Sequence, residues 1–344
     1  MLIEKIEIED ILEKIRNVRL LLYGDFCLDA YWILDPRGSE ISVETGLKAL
    51  SAGYQKYSLG GASNVAANLS ALNPKQIKIT GVTGDDIFGR EMVSQLNSIN
   101  IDTSGLVLQK DSFETYVFCK LILEGIEQPR IDFGTYNKRS KETDEKILEN
   151  LRNAIPESDV IIINQQVPFS ITNKEFIDEL NNIINQFPKK IFIVDSRHHS
   201  AEFKNISLKT NEVEAAQLNG IEANYNDQFR REEVKSFAKG LFEKHNKPCF
   251  ISRGKNGLMA CDKDGIKETP GLHFTNKLDT VGAGDTALSA IASAMAAGFD
   301  SQSAIKFANF ASGVTVQKLF QTGTANPDEI LSLCSEHEYL IEEE

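Results

Sequence analysis

The chain lacks the features that define several classes of protein. Its five cysteines are scattered and include no C-x-x-C pair, which argues against a disulfide framework and a zinc site and predicts a cytoplasmic protein. No apolar run is long enough to cross a membrane, and the acidic, amphipathic N-terminus lacks the apolar core of a signal peptide. Neither a basic block nor a lysine- and arginine-rich stripe with interleaved aromatic residues appears. We therefore expect neither a membrane nor a nucleic acid as a partner.

The overall composition is that of an ordinary globular protein. Hydrophobic residues make up 41% and charged residues 25% of the 344 positions, so the chain is long enough for a substantial core. Because the net charge is −13, an enzyme for anionic substrates would depend here on helix termini, metal ions and a few well-placed cations. No linker, repeat or low-complexity tract interrupts the sequence, so we expect a single domain over residues 1–344.

Short β-rich runs alternate with helical patterns along most of the chain. Buried parallel strands are predicted at residues 18–23, 77–82, 159–164, 190–195 and 249–252. Helices are predicted at residues 62–72, 89–99, 142–154, 173–186, 213–218 and 232–245, and residues 286–319 are expected to be almost all helix. This alternation predicts an α/β fold of three layers, in which helices cover both faces of a mostly parallel central sheet.

Two aromatic and β-branched segments break this alternation. Residues 28–58 and 115–133 are predicted to form extra strands outside the main sheet. We expect these strands to make a small β-lid inserted in the domain.

The run Asp279-Thr280-Val281-Gly282-Ala283-Gly284-Asp285 precedes an alanine-rich helical segment. The small residues Gly282, Ala283 and Gly284 let backbone N–H groups point into a cavity at the start of a helix, where unpaired amides and the helix dipole form an anion site. A carboxylate in such a site would repel the anion. The Asp285 carboxylate has a catalytic function there if it takes a proton from an alcohol that attacks a bound phosphoryl group. The structural alternative is a glycine-containing loop before a buried helix.

Three earlier motifs each allow a functional and a structural interpretation. Asp29 follows the first predicted strand and can accept hydrogen bonds from a polyol, but it can also be a solvated turn residue. Gly60 and Gly61 permit close backbone approach to a ligand, and Asn64 offers donors and acceptors, although many helices begin in this way. Residues 83–89 form a strand-to-helix turn with acidic residues near the helix N-terminus, which is compatible with either role.

Two later motifs also have structural rivals. Asn211 and Glu214 have the spacing of a capping box, which stabilises any helix start, whereas Glu214 can also orient water on Mg²⁺ near phosphates. The segment that contains Ser252, Gly254 and Gly257 joins two β-like runs. It is either a tight turn or part of a nucleotide groove.

Together these motifs resemble the ribokinase-like, or PfkB, family of carbohydrate kinases over about residues 20–327. The matching motifs occur in the family's order: G-x-x-x-x-D at 24–29, a glycine pair with asparagine at 60–64, G-x-D-x-x-G at 84–89, N-x-x-E at 211–214, G-x-x-G at 254–257 and D-T-x-G-A-G-D at 279–285. The last motif is highly specific, whereas the others gain their weight from the order in which they occur.

The resemblance implies ATP as phosphoryl donor, Mg²⁺ as cofactor, and a sugar or sugar phosphate as acceptor. It implies Asp285 as general base, with the amides of Gly282, Ala283 and Gly284 as the anion hole. By the same resemblance, Glu214 serves Mg²⁺ through water, and the β-lid covers the sugar and pairs two protomers into a homodimer. The resemblance assigns sugar binding to Asp29, Gly60, Gly61 and Asn64, binding of the acceptor's far end to Arg130 and Arg197, and nucleotide binding to Asn211, Ser252, Gly254, Gly257 and Asn309.

Within the family, the chain is most similar to the heptose-7-phosphate kinases of the ADP-heptose pathway. The similarity lies in residues 24–32, in the lid strand 130–133 and in the last long helix at 307–319.

Three departures favour a different acceptor. The subgroup's usual Ser-Asp-Tyr-x-Lys-Gly, Asp-Pro-Lys and Arg-Ile-Ser-Pro-Glu are replaced here by Asn-Gln-Gln-Val-Pro at 164–168, Asp-Ser-Arg at 195–197 and Glu-Ile-Ser-Val-Glu at 40–44. These replacements leave Arg130 and Arg197 as the cations for an acceptor phosphate. The alternative function is a catalytically silent sugar-binding or regulatory protein on a kinase fold, although binding alone does not need Asp285. No motif for nucleotide transfer is present.

Overall fold

The computed structural model describes residues 2–168, 171–319 and 321–339. The strands in these residues are β1 Arg19–Gly24, β2 Phe26–Leu34, β3 Ala52–Gly61, β4 Gln76–Gly84, β5 Asp102–Gln109, β6 Tyr116–Leu123, β7 Ile126–Glu127, β8 Ile131–Phe133, β9 Val160–Gln165, β10 Ile191–Ser196, β11 Ser207–Asn211, β12 Cys249–Ser252, β13 Leu258–Asp262 and β14 Gly265–Thr269. The α-helices are α1 Leu2–Ile15, α2 Ala62–Ala71, α3 Ile87–Ser98, α4 Lys141–Ala154, α5 Lys174–Gln186, α6 Glu212–Leu218, α7 Arg231–His245, α8 Ala283–Ala296, α9 Ser301–Thr315 and α10 Pro327–Glu336.

A nine-stranded sheet forms the middle of the molecule, in the order β14-β13-β12-β11-β10-β9-β1-β4-β5. The strands from β5 to β12 in this order are all parallel, and β13 and β14 continue the sheet antiparallel at one edge. One hydrophobic cluster packs α1, α2, α8 and α9 on one face, and a second packs α4, α5, α6 and α7 on the other. The predicted three-layer α/β/α architecture is therefore confirmed. None of the helices in the described residues combines the length and apolarity that a bilayer crossing requires.

A second, five-stranded sheet contains the segments predicted as lid strands. Its order is β3-β2-β6-β7, with β8 also paired to β6. One face of β2 carries Leu28 and Ala30, which pack into the core beside α2, and the opposite face carries Asp29 and Tyr31. The structural alternative for Asp29, a solvated turn residue, is wrong, because Asp29 lies within β2 and is buried.

The strand β3 of this lid sheet continues directly into α2. Gly61 makes the junction with a φ of 50°, a left-handed conformation that glycine adopts without strain. A Cβ at this position would lie 2.7 Å from the carbonyl oxygen of Asp25, and the next amide, that of Ala62, donates to the same oxygen at 3.0 Å. Only glycine therefore fits where the lid sheet meets the main sheet.

The predicted strands and helices agree with the structure to within a few residues, but several elements were not predicted. The strand β11 has the sequence SLKTN, which contains one lysine and no run of apolar residues. The strands β5 and β14 were also missed. Residues 286–319, expected to be almost all helix, lie largely in α8 and α9, which a turn at 297–300 separates.

Candidate active site

The N-terminus of α8 lies where the main sheet and the lid meet. Gly282 precedes the helix with a φ of 82°, and Asp285 lies in the first turn. A helix offers no internal acceptor to the amides of its first turn. The Ala283 amide donates to the carbonyl oxygen of Thr280 at 3.2 Å, so the Gly284 amide is the better placed donor for an anion.

Asp285 is held by the amide of Asn64, near the start of α2. Asn64 Nδ2 donates to Asp285 Oδ2 at 2.7 Å. Two further hydrogen bonds fix the orientation of the Asn64 side chain. Asn68 Nδ2 donates to Asn64 Oδ1 at 3.3 Å, and the Thr286 hydroxyl donates to Asn68 Oδ1 at 2.8 Å. Gly282 allows this approach, since a Cβ there would lie 3.0 Å from Asn64 Nδ2.

The Asp285 carboxyl has the pKa of a base that works near neutrality. Burial raises its pKa to about 6, against the hydrogen bond from Asn64, which lowers it. The negative charges of Asp195 and Asp29 add to the rise in pKa, and the positive charge of Lys209 opposes it. A carboxylate with such a pKa is ionised at pH 7 yet basic enough to accept a proton during a reaction.

Lys209 and Asp195 form a buried ion pair on the same face of the sheet as α8. Lys209 Nζ lies 2.7 Å from Asp195 Oδ2, and both side chains are less than a tenth exposed. A Cβ on Gly284 would lie 3.2 Å from the ammonium, so Lys209 reaches the first turn of α8. The motifs in the sequence did not reveal Lys209, because an isolated lysine in a short strand resembles a solvated side chain.

Glu214 both caps α6 and lies close to this ion pair. Its carboxylate accepts the Asn211 amide at 2.8 Å, and Asn211 Oδ1 accepts the Glu214 amide at 2.8 Å, which completes the capping box. Burial and the negative charge of Asp195 raise the pKa of Glu214, against the positive charge of Lys209. The structural interpretation of this motif is therefore confirmed, and it leaves one oxygen of Glu214 for other ligands.

The donors present fit Mg²⁺ only with help from a ligand. No group of three or more acidic, histidine or cysteine side chains able to hold a metal occurs in the described parts of the chain. Mg²⁺ usually keeps several waters and takes one or two carboxylates together with substrate phosphates. Glu214 is a carboxylate of this kind, beside the anion-binding helix terminus.

Asp29 is buried in the lid sheet beside a lysine that the sequence analysis did not single out. Lys120 Nζ lies 3.1 Å from Asp29 Oδ2 and 3.2 Å from the Tyr31 hydroxyl. The other carboxylate oxygen, Oδ1, would lie 3.0 Å from a Cβ on Gly60, so glycine leaves that oxygen uncovered. Burial raises the pKa of Asp29, and the charge of Lys120 opposes the rise.

The two arginines expected to read the acceptor's far end differ in their surroundings. Arg130 makes a two-pronged contact with Asp132, at 2.6 and 2.9 Å, and its guanidinium lies 4.5 Å from the centre of the Phe118 ring. It is on the same lid as Asp29, and its charge acts on the pKa of Asp29. Arg197 is exposed in the turn after β10.

The residues expected to bind nucleotide lie at the ends of β11 and β12, in the turn between β12 and β13, and in α9. Gly254 begins a short 3₁₀ turn and Gly257 follows it, with φ of 54° and 84°. Ser252 donates to the carbonyl oxygen of Thr210 at 3.2 Å. Asn309 is buried, and its Nδ2 donates to the carbonyl oxygen of Pro270 at 2.9 Å. Its side chain therefore fixes the segment after β14.

The motif at 83–89 has a structural role. Asp86 caps α3 by accepting the Gly89 amide at 2.8 Å, and its second oxygen accepts the Thr115 amide at 2.7 Å. These contacts tie the start of α3 to the start of β6. They satisfy both carboxylate oxygens.

The chain belongs to the pfkB family of carbohydrate kinases, whose family model matches residues 20–329. The resemblance found in the motifs is thus confirmed, and the protein is a carbohydrate kinase by family. The chain is similar to the protein named bifunctional protein HldE of Coxiella burnetii, with 27% identity over 304 residues, 88% of this chain and 61% of the relative. The HldE protein of Desulfatibacillum aliphaticivorans is 29% identical over 316 residues, 91% of this chain and 62% of that protein. This chain spans about three fifths of the length of these relatives.

Solved structures show the same fold at low identity. The tetrameric inhibited form of phosphofructokinase-2 from Escherichia coli superposes with a TM-score of 0.74 and 18% identity, over 93% of this chain and 100% of that chain. Arabidopsis thaliana ribokinase, complexed with ribose and ATP, gives a TM-score of 0.70 and 18% identity, over 93% of this chain and 99% of that chain. These likenesses establish the fold.

Proposed function

We propose that this chain transfers the γ-phosphoryl group of ATP to a hydroxyl of a sugar or sugar phosphate, with Asp285 as general base. The observation that carries the proposal is the position of Asp285. It lies in the first turn of α8, 2.7 Å from Asn64 Nδ2, with a pKa raised by burial to about 6. A base at an anion-binding helix terminus suits an alcohol that attacks a bound phosphoryl group.

The proposed reaction uses Asp285 and the backbone of the preceding turn. The acceptor hydroxyl forms a bond to the γ-phosphorus and gives its proton to Asp285, while the bond between that phosphorus and the leaving oxygen of ADP breaks. The amides of Gly282, Ala283 and Gly284 stabilise the charge on the transferred group. Of these, the Gly284 amide has the least competition, because the Ala283 amide reaches Thr280.

The sugar is proposed to bind between the lid and α2. Asp29 accepts hydrogen bonds from sugar hydroxyls through the oxygen that faces Gly60, since its other oxygen is held by Lys120. Gly61 and Asn64 continue this surface to Asp285. The charge of Asp29 acts on the pKa of Asp285, which supports a single site that spans both groups.

The nucleotide is proposed to lie across the carboxyl ends of β11 and β12. Asn211, Ser252, Gly254, Gly257 and Asn309 are the candidates, and the open space at Gly254, where a Cβ would meet nothing within 4 Å, suits a bound nucleotide. Mg²⁺ is proposed to bind Glu214 through water. When bound, the ion neutralises phosphate charge.

A heptose 7-phosphate is one candidate acceptor, by similarity to the HldE proteins, and the substituted loops favour another. Arg130 and Arg197 are the cations proposed to read a phosphate on the acceptor. Arg130 already pairs with Asp132 on the lid, so a phosphate must compete with that carboxylate. Exposed Arg197 has no such pairing among the contacts described.

The proposed function includes a domain organisation, an oligomeric state and a cellular location. We propose one kinase domain over residues 1–344, with lid segments at 28–58 and 115–133, in a cytoplasmic homodimer that pairs through the β-lid. Support for the dimer comes from apolar side chains exposed near the outer end of the lid. They are Ile41, Val43, Leu47, Leu50 and Tyr54.

The first experiment measures ATP-dependent phosphoryl transfer across free and phosphorylated sugars, including heptose 7-phosphate, with Asp285→Asn as the control. Turnover of at least one sugar that is lost in the control supports the proposal. Turnover of heptose 7-phosphate would identify the acceptor, and Arg197→Ala would then be expected to reduce the preference for the phosphorylated over the free sugar. Sugar binding without any turnover would instead support the silent sugar-binding protein.

A further inference from the structure

Lys209 and Asp195 form a buried ion pair whose charges the fold does not require. The register of β10 and β11 sets Val194 opposite Leu208, so Asp195 and Lys209 come next to each other on one face of the sheet. Both side chains are less than a tenth exposed. Burying such a pair is often no more stabilising than an apolar pair of the same volume. A role beyond folding is therefore reasonable for it.

The ammonium of Lys209 points toward the first turn of α8. It lies 3.2 Å from the position of a Cβ on Gly284, which places it beside the amide proposed to bind the transferred group. The carboxylates of Asp195, Glu214 and Asp285 all raise the pKa of Lys209, against burial, which lowers it. The Lys209 charge therefore offsets part of the negative charge of three carboxylates, which would otherwise repel an added anion.

A buried amide beside this ion pair lacks hydrogen-bond partners. Asn164 pairs in register with Asp195 and lies on the same face of the sheet. Its side chain is fully buried, and neither its Nδ2 nor its Oδ1 has a hydrogen-bond partner. Buried amides are nearly always paired. The two unpaired amide atoms beside Asp195 therefore leave hydrogen-bonding capacity there that the surrounding side chains do not satisfy.

We propose that Lys209 contacts the phosphoryl group during transfer, and that Asp195 is a positioning residue that holds Lys209 in place. The inference rests on the kinase function proposed above. Lys209 keeps its proton throughout, and its charge offsets the negative charge on the transferred group as the bond to the acceptor oxygen forms and the bond to ADP breaks. Gln166 in turn holds Asp195, because its Nε2 donates to Asp195 Oδ1 at 2.7 Å.

The test separates this role from a purely structural one with a double variant. Lys209→Met alone leaves a buried unpaired carboxylate and is expected to lower both the melting temperature and turnover. Lys209→Met with Asp195→Asn removes both charges, and its melting temperature is expected to return close to that of the wild type. Its kcat is expected to stay about 10²-fold to 10³-fold lower, as when one donor to a developing anion is removed. Recovery of both melting temperature and kcat in the double variant would overturn the proposal.

A matched control removes an ion pair outside the site. Lys306 and Glu7 pair at 2.7 Å between α9 and α1. The double variant Lys306→Met with Glu7→Gln is expected to keep the wild-type kcat. A comparable fall in kcat in this control would attribute the effect to loss of any ion pair and would also overturn the proposal.

A binding measurement keeps the test independent of sugar turnover. By calorimetry, the Lys209→Met and Asp195→Asn double variant is expected to bind an imido-bridged ATP analogue at least fivefold more weakly, with ADP affinity changed less than twofold. If the wild type phosphorylates no sugar, the proposed function fails. The selective loss of affinity for the ATP analogue still tests whether Lys209 contacts the γ-phosphoryl group. Equal affinities of the double variant and the wild type for the analogue would overturn the proposed contact of Lys209 with the phosphoryl group. Should the double variant not fold, Lys209→Arg keeps a cation beside Asp195 but replaces the ammonium with a larger, planar guanidinium, and the same selective loss is expected.

Discussion

Asn64 donates to Asp285 across 221 residues of sequence, at 2.7 Å. This contact joins the first turn of α2 to the first turn of α8. Because Asn68 and Thr286 fix the amide from behind, the nitrogen of Asn64 faces the carboxylate and stabilises its ionised form. The base is therefore oriented by the fold before any substrate binds.

Replacement of Asp285 by asparagine is expected to abolish most turnover without weakening nucleotide binding. Removal of a general base usually costs two or more orders of magnitude in rate. Steady-state kcat and the dissociation constant of ATP, measured on the same preparation, test this expectation. A variant with kcat within tenfold of the wild type would show that Asp285 is not the base.

The same substitution is expected to stabilise the protein at neutral pH. The pKa of Asp285 in the folded state, about 6, is higher than its ordinary value of 3.8. The folded state therefore holds the proton more tightly, and the stability that protonation gives is lost as pH rises from about 4 to about 6. Asp285→Asn removes this loss, so its melting temperature should exceed that of the wild type at pH 8 by more than at pH 4. An equal difference at both pH values would contradict the burial of an ionised group.

Activity is expected to fall below about pH 6. Since burial raises the pKa of Asp285 to about 6, the base becomes protonated, and kcat/KM should decrease about tenfold per pH unit below that value. A pH profile of kcat/KM measures this limb. The pKa of Asp25, which burial also raises to about 6, makes Asp25→Asn the necessary control. Persistence of the limb in that variant assigns it to Asp285, and its disappearance would assign it to Asp25.

Gly282→Ala is expected to reduce turnover far more than Gly298→Ala. Both glycines flank α8 with positive φ, 82° and 90°, so alanine strains the backbone by about 1–2 kcal/mol at each. Only at Gly282 does the added Cβ lie 3.0 Å from Asn64 Nδ2, whereas at Gly298 it would meet nothing within 4 Å. Melting temperatures of the two variants should therefore fall alike. A similar kcat in both variants would show that catalysis does not depend on the contact between Asn64 and Asp285.

Lys120→Met is expected to weaken sugar binding while leaving ATP binding unchanged. The substitution leaves Asp29 buried without its partner at 3.1 Å, and its pKa, already raised by burial, should rise further. Calorimetry with sugar and with ATP measures the two affinities. The double variant Lys120→Met with Asp29→Asn should regain stability but not sugar affinity. Equal losses for sugar and ATP would point to general misfolding.

Features that depend on short stretches of sequence could be predicted from the sequence. Apolar runs located five of the parallel strands, and the glycine-rich turn located Asp285. The capping box of Asn211 and Glu214 was also visible from spacing alone.

The parts that were missed depend on contacts between distant residues. Lys209 pairs with a carboxylate 14 residues away and Lys120 with one 91 residues away. In a sequence, either lysine resembles a solvated side chain in a strand. Only the register of neighbouring strands, β10 with β11 and β2 with β6, brings each lysine against its carboxylate.

The left-handed glycine between β3 and α2 determines where the chain can accept extra residues. Residues 43–50 at the far end of the lid are exposed, so an insertion there would lengthen a surface loop. One residue inserted beside Gly61 would turn α2 by about 100° relative to β3 and carry the Asn64 side chain away from Asp285. An engineered insertion is therefore expected to be tolerated at the outer end of the lid, whereas the spacing between β3 and α2 has to be kept for Asn64 to reach Asp285.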